Sequence, residues 1–143
     1  MIVSAWRIVK RKHAKNAFTG EGARIFGGRW NTPGVPLIYT AASQSLAVLE
    51  ILVHLEAPEL LQKYVILEAR IEESLITDLD QSRLPENWID EWARARVSPV
   101  LRVPSAIVTS EYNFLINPLH RAFSRLKIAQ ARTPDFFRNR LVL

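Results

Sequence analysis

Cysteine is absent from the 143 residues of this chain, and its absence excludes several kinds of chemistry. Without thiols there is no disulfide framework, no thiolate nucleophile and no cysteine-based zinc or iron–sulfur site. Long hydrophobic runs are missing too, since none approaches the ~20 apolar residues of a membrane span. No basic segment precedes a long apolar one at the N-terminus, so we expect no signal peptide and a soluble, cytoplasmic protein.

Glycine is scarce, and all five glycines fall within the segment Asn16–Pro36. A backbone that concentrates its glycines in this way either adopts positive φ angles or approaches another group closely. We therefore predict that Asn16–Pro36 is loop-like. Histidine is scarce as well, and the spacing of His13, His54 and His120 does not support a metal site. We expect no bound metal.

Positive charge is in excess, at +5 overall, but the excess is confined to the two ends of the chain. Residues 1–29 contain seven Lys and Arg against one Glu, and residues 121–143 contain six against one Asp. The segment between them, residues 30–120, contains six Lys and Arg against twelve Asp and Glu. The basic run Lys10–Lys15 fits either a grip on nucleic-acid phosphates or a solvated loop, and we favour the loop.

Length and composition fit one globular domain, with 48% hydrophobic and 23% charged residues over 143 positions. Apolar runs bounded by turn residues predict six strands, at Ile2–Val9, Leu37–Thr40, Tyr64–Ile71, Pro99–Val103, Ala106–Thr109 and Tyr112–Ile116. Two helices are predicted, at Gln44–Leu55 and Glu86–Arg96. This order favours an α+β fold with segregated elements over a regular βαβ winding.

Three further expectations concern packing. Ser43 is a good N-cap for the first helix, whose apolar composition predicts burial on most sides. Trp88 and Trp92 are spaced to share one face of the second helix, where we expect them in the core. The tail Pro134–Leu143 ends in apolar residues, and we expect it to pair into a sheet.

Arg29 is the first residue whose surroundings indicate chemistry, because two adjacent glycines precede it. The glycines allow a tight turn that directs the guanidinium, and arginine binds a phosphate or carboxylate through two parallel hydrogen bonds. A turn whose arginine forms a structural salt bridge fits the pattern equally well.

Glu50 is the second residue whose surroundings indicate chemistry, because it lies on the apolar helix predicted at Gln44–Leu55. A carboxylate is costly to bury without a partner, so Glu50 faces either water or a polar cleft. The helix offers little polar surface apart from Gln44 and His54, which favours the cleft. A carboxylate in that position is a functional-site candidate.

Ser105 is the third residue whose surroundings indicate chemistry, because it follows Pro104 at a bend between two predicted strands. The simpler interpretation is a turn residue, with capping roles for the nearby Asn113 and Asn117. The chain contains no G-x-S-x-G sequence, so a serine hydrolase is not indicated.

These residues resemble the RES domain family, which is named for its Arg, Glu and Ser. The likeness begins at Trp6-Arg7-Ile8 and runs through nearly the whole chain. It is carried by the order and spacing of separate motifs: Gly27-Gly28-Arg29-Trp30-Asn31, Pro33-Gly34, Ile38-Tyr39-Thr40, Ser45–Glu50, Val103–Ala106 and Asn113–His120.

The resemblance implies a single domain over residues 1–143 with an ADP-ribosyltransferase-like fold, in which short-stranded mixed or antiparallel sheets are flanked by helices. It implies a toxin of a bacterial toxin–antitoxin pair that consumes NAD⁺ by phosphorolysis or hydrolysis. The expected partner is an antitoxin with an Xre-type helix-turn-helix, which alone would contact DNA, and a homodimer is expected within the complex. A protein ADP-ribosyltransferase remains an alternative, and a basic nucleic-acid-binding module is a remote one.

The resemblance also assigns residues. Arg29, Glu50 and Ser105 match the three residues of the family name, and we expect them to be catalytic and to bind NAD⁺. Arg7 and Arg29 are expected to hold its pyrophosphate, Glu50 to stabilise the charged ribose, Tyr39 to stack on nicotinamide and Ser105 to position the attached ribose. Asn113 falls in a motif typical of the family and is included among the NAD⁺-binding residues.

Two departures from the family pattern stand out. The stretch between Trp88 and Pro104 is shorter than the resemblance leads us to expect, which predicts a rebuilt cleft wall. Asn139 stands where an Asp is usual.

Overall fold

The computed structural model describes residues 1–80, 82 and 87–134. Seven strands form one mixed sheet: β1 (Ile2–Lys10), β2 (Ile38–Ala41), β3 (Tyr64–Glu72), β4 (Ile76–Asp78), β5 (Val100–Pro104), β6 (Tyr112–Ile116) and β7 (Lys127–Ile128). Three α-helices accompany it: α1 (Glu21–Phe26), α2 (Gln44–Leu52) and α3 (Trp88–Ala95). Short 3-10 helices fill several connections. The predicted α+β class is confirmed.

The strand order is β4-β5-β6-β2-β1-β3-β7, and only β4 and β5 run parallel among these neighbours. β1 pairs with β3 along its full nine residues. Its pairing with β2 is limited to Trp6 opposite Ala41. The sheet is therefore weakly joined between β1 and β2, and side chains enter the junction where ladder hydrogen bonds are missing.

Alternation along the strands divides the core between the two faces of the sheet. Ile38, Phe114 and Ile116 contribute to one buried cluster, while Leu37 and Leu115 belong to another that packs against α3. A third cluster lies beneath α2 and contains Leu46 and Ala47. Both helices are thus fixed to the sheet by apolar contacts.

α3 is held by polar contacts as well as by its apolar face. Trp92 is 2% exposed and its Nε1 donates to Ser98 Oγ at 3.0 Å. The buried Asn117 donates from Nδ2 to the carbonyl of Ala93 at 2.9 Å. Trp88 is half-buried against the same cluster. The expected core role of the two tryptophans is confirmed for Trp92 and holds in part for Trp88.

Five of the predicted strands correspond to β1, β2, β3, β5 and β6 within two residues at each end. The strand predicted at Ala106–Thr109 is wrong, because this segment forms bends and a turn. The segment Asn16–Pro36 is not all loop, since it contains α1. β4 and β7, of three and two residues, are too short to leave a pattern in the sequence.

The helix predicted at Gln44–Leu55 ends at Leu52, and its predicted burial on most sides is wrong. Only Leu46 and Ala47 are buried, whereas Leu49 and Val53 are 37% and 50% exposed. The predicted helix start at Glu86, the pairing of the tail Pro134–Leu143 and the departure at Asn139 fall wholly or largely outside the described residues.

The basic run Lys10–Lys15 forms most of a 3-10 helix, Arg11–Asn16, rather than a loop. Its basic side chains are exposed, as the solvated interpretation requires. No helix in the described part of the chain is long and apolar enough to cross a membrane.

Candidate active site

A cleft of about 600 Å³ lies at the weak junction between β1 and β2, bordered by α2 and by the glycine-rich segment, Asn16–Pro36. Five of the six predicted site residues line it: Arg7, Arg29, Tyr39, Glu50 and Asn113. The sixth, Ser105, is 2% exposed and contacts Glu50 from behind. The fold therefore brings together residues that the sequence spreads over about 100 positions.

Glu50 reaches the cleft because of its place on α2. Ser43 caps this helix by accepting a hydrogen bond from the Leu46 amide at 3.1 Å. Ala47 and Glu50 then line the cleft from one face of α2, three residues apart, and His54 lines it from the turn that follows the helix. The exposed Leu49 and Val53 lie on another face, so the carboxylate does face the cleft.

Two side chains hold the carboxylate of Glu50. Ser105 Oγ donates to Glu50 Oε1 at 3.1 Å, and Asn113 Nδ2 donates to the same oxygen at 2.9 Å. The second oxygen, Oε2, has no hydrogen-bond partner among the described residues. One carboxylate oxygen is thus committed to the protein while the other is left for a ligand.

The hydroxyl of Ser105 donates one hydrogen bond and accepts two. Its oxygen accepts hydrogen bonds from the amides of Ile107 and Val108 at 3.1 and 3.2 Å. Because these two bonds occupy its lone pairs, the hydroxyl proton is directed to Glu50. The same bonds fold the segment after Ser105 into a turn, which is why a strand does not form there.

Arg7 enters the junction between β1 and β2. Its Nη1 donates to the carbonyl of Tyr39 at 2.9 Å and its Nε donates to the carbonyl of Ala17 at 2.6 Å. Desolvation by burial lowers the pKa of Arg7 to about 10, so the side chain is still a cation at neutral pH. No carboxylate within the described ranges forms an ion pair with it. The cleft therefore contains a partly desolvated cation without a counterion among these residues.

Tyr39 is fixed by the glycine-rich segment. Its hydroxyl donates to Asn31 Oδ1 at 2.7 Å and accepts from the Trp30 amide at 2.9 Å. Burial raises the pKa of Tyr39, and the charge of Asp90 adds to this shift. The ring is thus a rigid, neutral wall of the cleft.

Gly28 explains the adjacent glycines, because a Cβ at this position would lie 2.6 Å from Tyr39 Oη and 3.0 Å from Asn31 Oδ1. Gly27 has a φ of 73°, which disfavours other residues. One glycine therefore permits a close approach and the other a left-handed turn, so both interpretations of the glycine cluster apply.

Arg29 is exposed at the edge of the cleft, with its guanidinium 5.4 Å from the centre of the Trp30 ring. It makes no ion pair in the part of the chain that the structure describes. The structural salt bridge considered for Arg29 is therefore absent there, which leaves the guanidinium available to a ligand.

Sequence reasoning missed several residues of the site. Asn31 organises the glycine-rich segment by donating from Nδ2 to the carbonyls of Ala23, Thr32 and Val35 at 3.0–3.1 Å. The position of Asn31, two residues after Arg29, could have indicated a role in the site. The position of His54, four residues after Glu50, could have indicated that it lines the same cleft. Asp90 contacts Thr32, 58 residues away, and no local pattern announces that contact.

The His, Asp and Glu side chains do not assemble into a metal ligand set within the described ranges. No group of three or more in residues 1–80, 82 and 87–134 is arranged to hold a metal ion. The polar side chains that line the cleft include two arginines, two asparagines, two glutamates, a tyrosine, a threonine and a histidine.

Comparison with known proteins identifies the family of this chain. The family model for the RES domain matches residues 4–139. "Toxin Res" of Photorhabdus laumondii subsp. laumondii is 39% identical over 132 residues, covering 84% of this chain and 85% of the relative. "Toxin Res" of Yersinia enterocolitica is 38% identical over 130 residues, covering 82% and 86%.

A third relative carries a different name. The "Prs ADP-ribosylating toxin" of a Sphingobium species is 34% identical over 149 residues, covering 92% of both chains. Since the family model spans nearly the whole sequence, this chain belongs to the RES domain family.

The close approach at Gly28 gives a test of the site's construction. We expect Gly28→Ala to lower the free energy of unfolding by about 1–3 kcal/mol, because the added methyl group displaces Tyr39 or Asn31. Urea denaturation measures the change.

Gly22→Ala is the matched control, since a methyl group added there would meet no atom within 4 Å and the residue lies in α1. That substitution is expected to leave stability unchanged or raise it by up to about 1 kcal/mol. Equal effects of the two substitutions would contradict the close contact with Tyr39.

Proposed function

We propose that this protein is a NAD⁺-consuming toxin of a toxin–antitoxin pair and that it cleaves the bond between nicotinamide and ribose. The observation that carries the proposal is the Glu50 carboxylate, held by Ser105 and Asn113 in a cleft that also contains the cation Arg7. A single RES domain with an ADP-ribosyltransferase-like fold is part of the same proposal.

The pyrophosphate of NAD⁺ suits the two arginines. Nη2 of Arg7 has no hydrogen-bond partner among the described residues, and Arg29 has no ion pair there. A pyrophosphate would be the counterion for both guanidinium groups and would orient the dinucleotide along the cleft. Tyr39, whose ring is immobilised through its hydroxyl, would then stack on nicotinamide.

Bond cleavage builds positive charge on the ribose. The C1′–N1 bond breaks, nicotinamide leaves with the bonding electron pair, and an oxygen nucleophile forms the new bond to C1′. Glu50, with Oε2 facing no donor among the described residues, would bind the ribose hydroxyls and stabilise the oxocarbenium-like transition state. Ser105, being buried, would act by holding Glu50 rather than by touching the ribose as the resemblance implies.

Asn113 would serve both the protein and the ligand. Its Nδ2 is bonded to Glu50, whereas its buried Oδ1 has no partner within the described ranges. Buried acceptors are normally satisfied, so this oxygen supports a site that is completed when a ligand binds.

Transfer of ADP-ribose to a protein is the second candidate function, and the name of the Sphingobium relative favours it. Incubation of the purified protein with labelled NAD⁺ distinguishes this function from cleavage of NAD⁺ alone. The reaction is run with and without phosphate, and then with cell lysate. Small-molecule products alone would indicate phosphorolysis or hydrolysis, whereas label on a macromolecule would indicate ADP-ribosylation. Intact NAD⁺ under all these conditions would contradict the proposal.

The proposed partner is an antitoxin with an Xre-type helix-turn-helix. Co-expression of the neighbouring reading frame tests this pairing, because a cognate antitoxin would restore growth and copurify with the toxin. The acidic surface of such a partner would complement the exposed run Lys10–Lys15.

Substitution of Glu50 tests the chemistry. We expect Glu50→Gln to reduce NAD⁺ turnover about 100-fold or more, because the neutral amide no longer stabilises positive charge on the ribose. Glu56→Gln, an exposed carboxylate six residues away, is the matched control and should retain wild-type turnover. Similar activity of both variants would remove Glu50 from the mechanism.

Arg29→Ala tests the pyrophosphate grip. Loss of charge-assisted hydrogen bonds predicts a KM for NAD⁺ raised about 10-fold or more. Arg94→Ala removes an exposed arginine of α3 and should leave KM unchanged. Steady-state kinetics over a range of NAD⁺ concentrations distinguishes them, and an unaltered KM in Arg29→Ala would refute the grip.

Ser105→Ala tests whether this hydroxyl acts through Glu50. Because the carboxylate loses one of its two donors, we expect kcat to fall about 10-fold or more while KM changes less than about threefold. Ser110→Ala, at an exposed turn position, is the control. A large rise in KM with unchanged kcat would instead indicate that Ser105 binds the substrate.

A further inference from the structure

Asp90 is a buried carboxylate outside the cleft that the proposed mechanism does not use. It lies in the first turn of α3 and is 3% exposed. No Lys, Arg or His in the described part of the chain forms an ion pair with it. A carboxylate is rarely buried in this way unless its oxygens are bound by hydrogen-bond donors.

Among the described residues, both hydrogen bonds to the Asp90 carboxylate come from one residue, Thr32. Oδ1 accepts from the Thr32 amide at 3.1 Å, and Oδ2 accepts from Thr32 Oγ1 at 2.7 Å. Thr32 is itself exposed and directly follows Asn31. The two bonds therefore attach the glycine-rich segment, at Thr32, to a helix residue 58 positions further along the chain.

The attachment continues into the cleft through neighbouring contacts. Asn31 binds the hydroxyl of Tyr39, and its carbonyl accepts from the Gly28 amide at 3.0 Å. These contacts enclose Arg29 and Trp30, both of which line the cleft. A displacement of Thr32 would therefore move the residues that carry the cationic edge of the site.

α3 is a firm base for this attachment. Trp92 and Ala93 pack into the core, and side-chain hydrogen bonds from Trp92 and Asn117 fix the helix independently of Asp90. Removal of the Asp90 carboxylate would thus release the segment without releasing the helix.

We propose that Asp90 is a positioning residue: through Thr32 it holds the segment Gly27–Thr32 so that Arg29 meets the pyrophosphate of the dinucleotide. This proposal rests on the proposed function for its substrate but not for its geometry. It also gives α3, which begins the stretch expected to depart from the family pattern, a defined role in supporting the cleft wall.

Kinetics of three variants test the role. In Asp90→Ala we expect KM for NAD⁺ to rise about 5- to 20-fold while kcat stays within about threefold of wild type, because binding is misaligned and the carboxylate of Glu50 is untouched. Asp90→Asn should restore KM to within about threefold, since its amide can accept from the Thr32 amide and donate to Thr32 Oγ1. Glu91→Ala, an exposed neighbour on α3, should match wild type.

Hydrogen exchange supplies a readout that does not depend on catalysis. The Gly28 amide is hydrogen-bonded within the segment, to the carbonyl of Asn31, and the Gly34 amide is hydrogen-bonded just beyond it, to the carbonyl of Arg24. Both amides should exchange faster in Asp90→Ala but not in Asp90→Asn. If wild-type protein consumes no NAD⁺, the proposed function fails, whereas the exchange rates still decide whether Asp90 holds the segment.

Thr32→Val provides a second route if Asp90→Ala does not fold. It removes only the hydroxyl donor from an exposed position and should raise KM about two- to fivefold with faster exchange in the same segment. The proposal is overturned if these variants leave both KM and the exchange rates unchanged, or if Asp90→Asn is as impaired as Asp90→Ala.

Discussion

The site depends on how one carboxylate is held on an apolar helix. Partial burial of the Glu50 carboxylate on α2 is unfavourable unless hydrogen-bond donors satisfy it, and these come from Ser105, just after β5, and Asn113, near the start of β6. Those donors bind a single oxygen, so the other faces the cleft. The local structure after Ser105 follows from this arrangement, because its hydroxyl also binds the two backbone amides that shape the turn.

The incomplete pairing of β1 with β2 has a complementary effect. Where the ladder is missing, Arg7 binds the carbonyl of Tyr39 with its side chain, and a cation is thereby placed inside the sheet junction. Desolvation lowers the pKa of Arg7, which is an unfavourable feature of the protein alone. A bound anion would relieve this cost, so the incomplete pairing of β1 with β2 also creates a place that suits an anion.

The sequence predicted the main strands and the position of Glu50 better than it predicted the turns. Strands such as Tyr112–Ile116 were readable because an apolar run bounded by turn residues reflects burial in a sheet. Glu50 was readable because a carboxylate among apolar residues demands an explanation. The turn after Ser105 was not predicted, since its apolar residues resemble a strand, whereas the hydroxyl of Ser105 and the backbone bonds to Glu111 fold it into a turn.

Long-range partners were the least readable feature. Asp90 looks like an ordinary acidic residue at a helix start, and its burial depends on Thr32, far away in sequence. The identities of the cleft residues came from motif resemblance, whereas their division into groups that face the ligand and groups that hold them required the three-dimensional structure.

A structure of Glu50→Gln with bound NAD⁺ would show whether this side chain contacts the ribose. We expect the side chain at position 50 to keep its hydrogen bonds with Ser105 and Asn113 through one terminal atom, and its other terminal atom to lie within hydrogen-bonding distance of a hydroxyl of the nicotinamide ribose. The pyrophosphate would contact Arg7 and Arg29. A dinucleotide bound outside the cleft, or a ribose that contacts Ser105 while position 50 faces away, would contradict it.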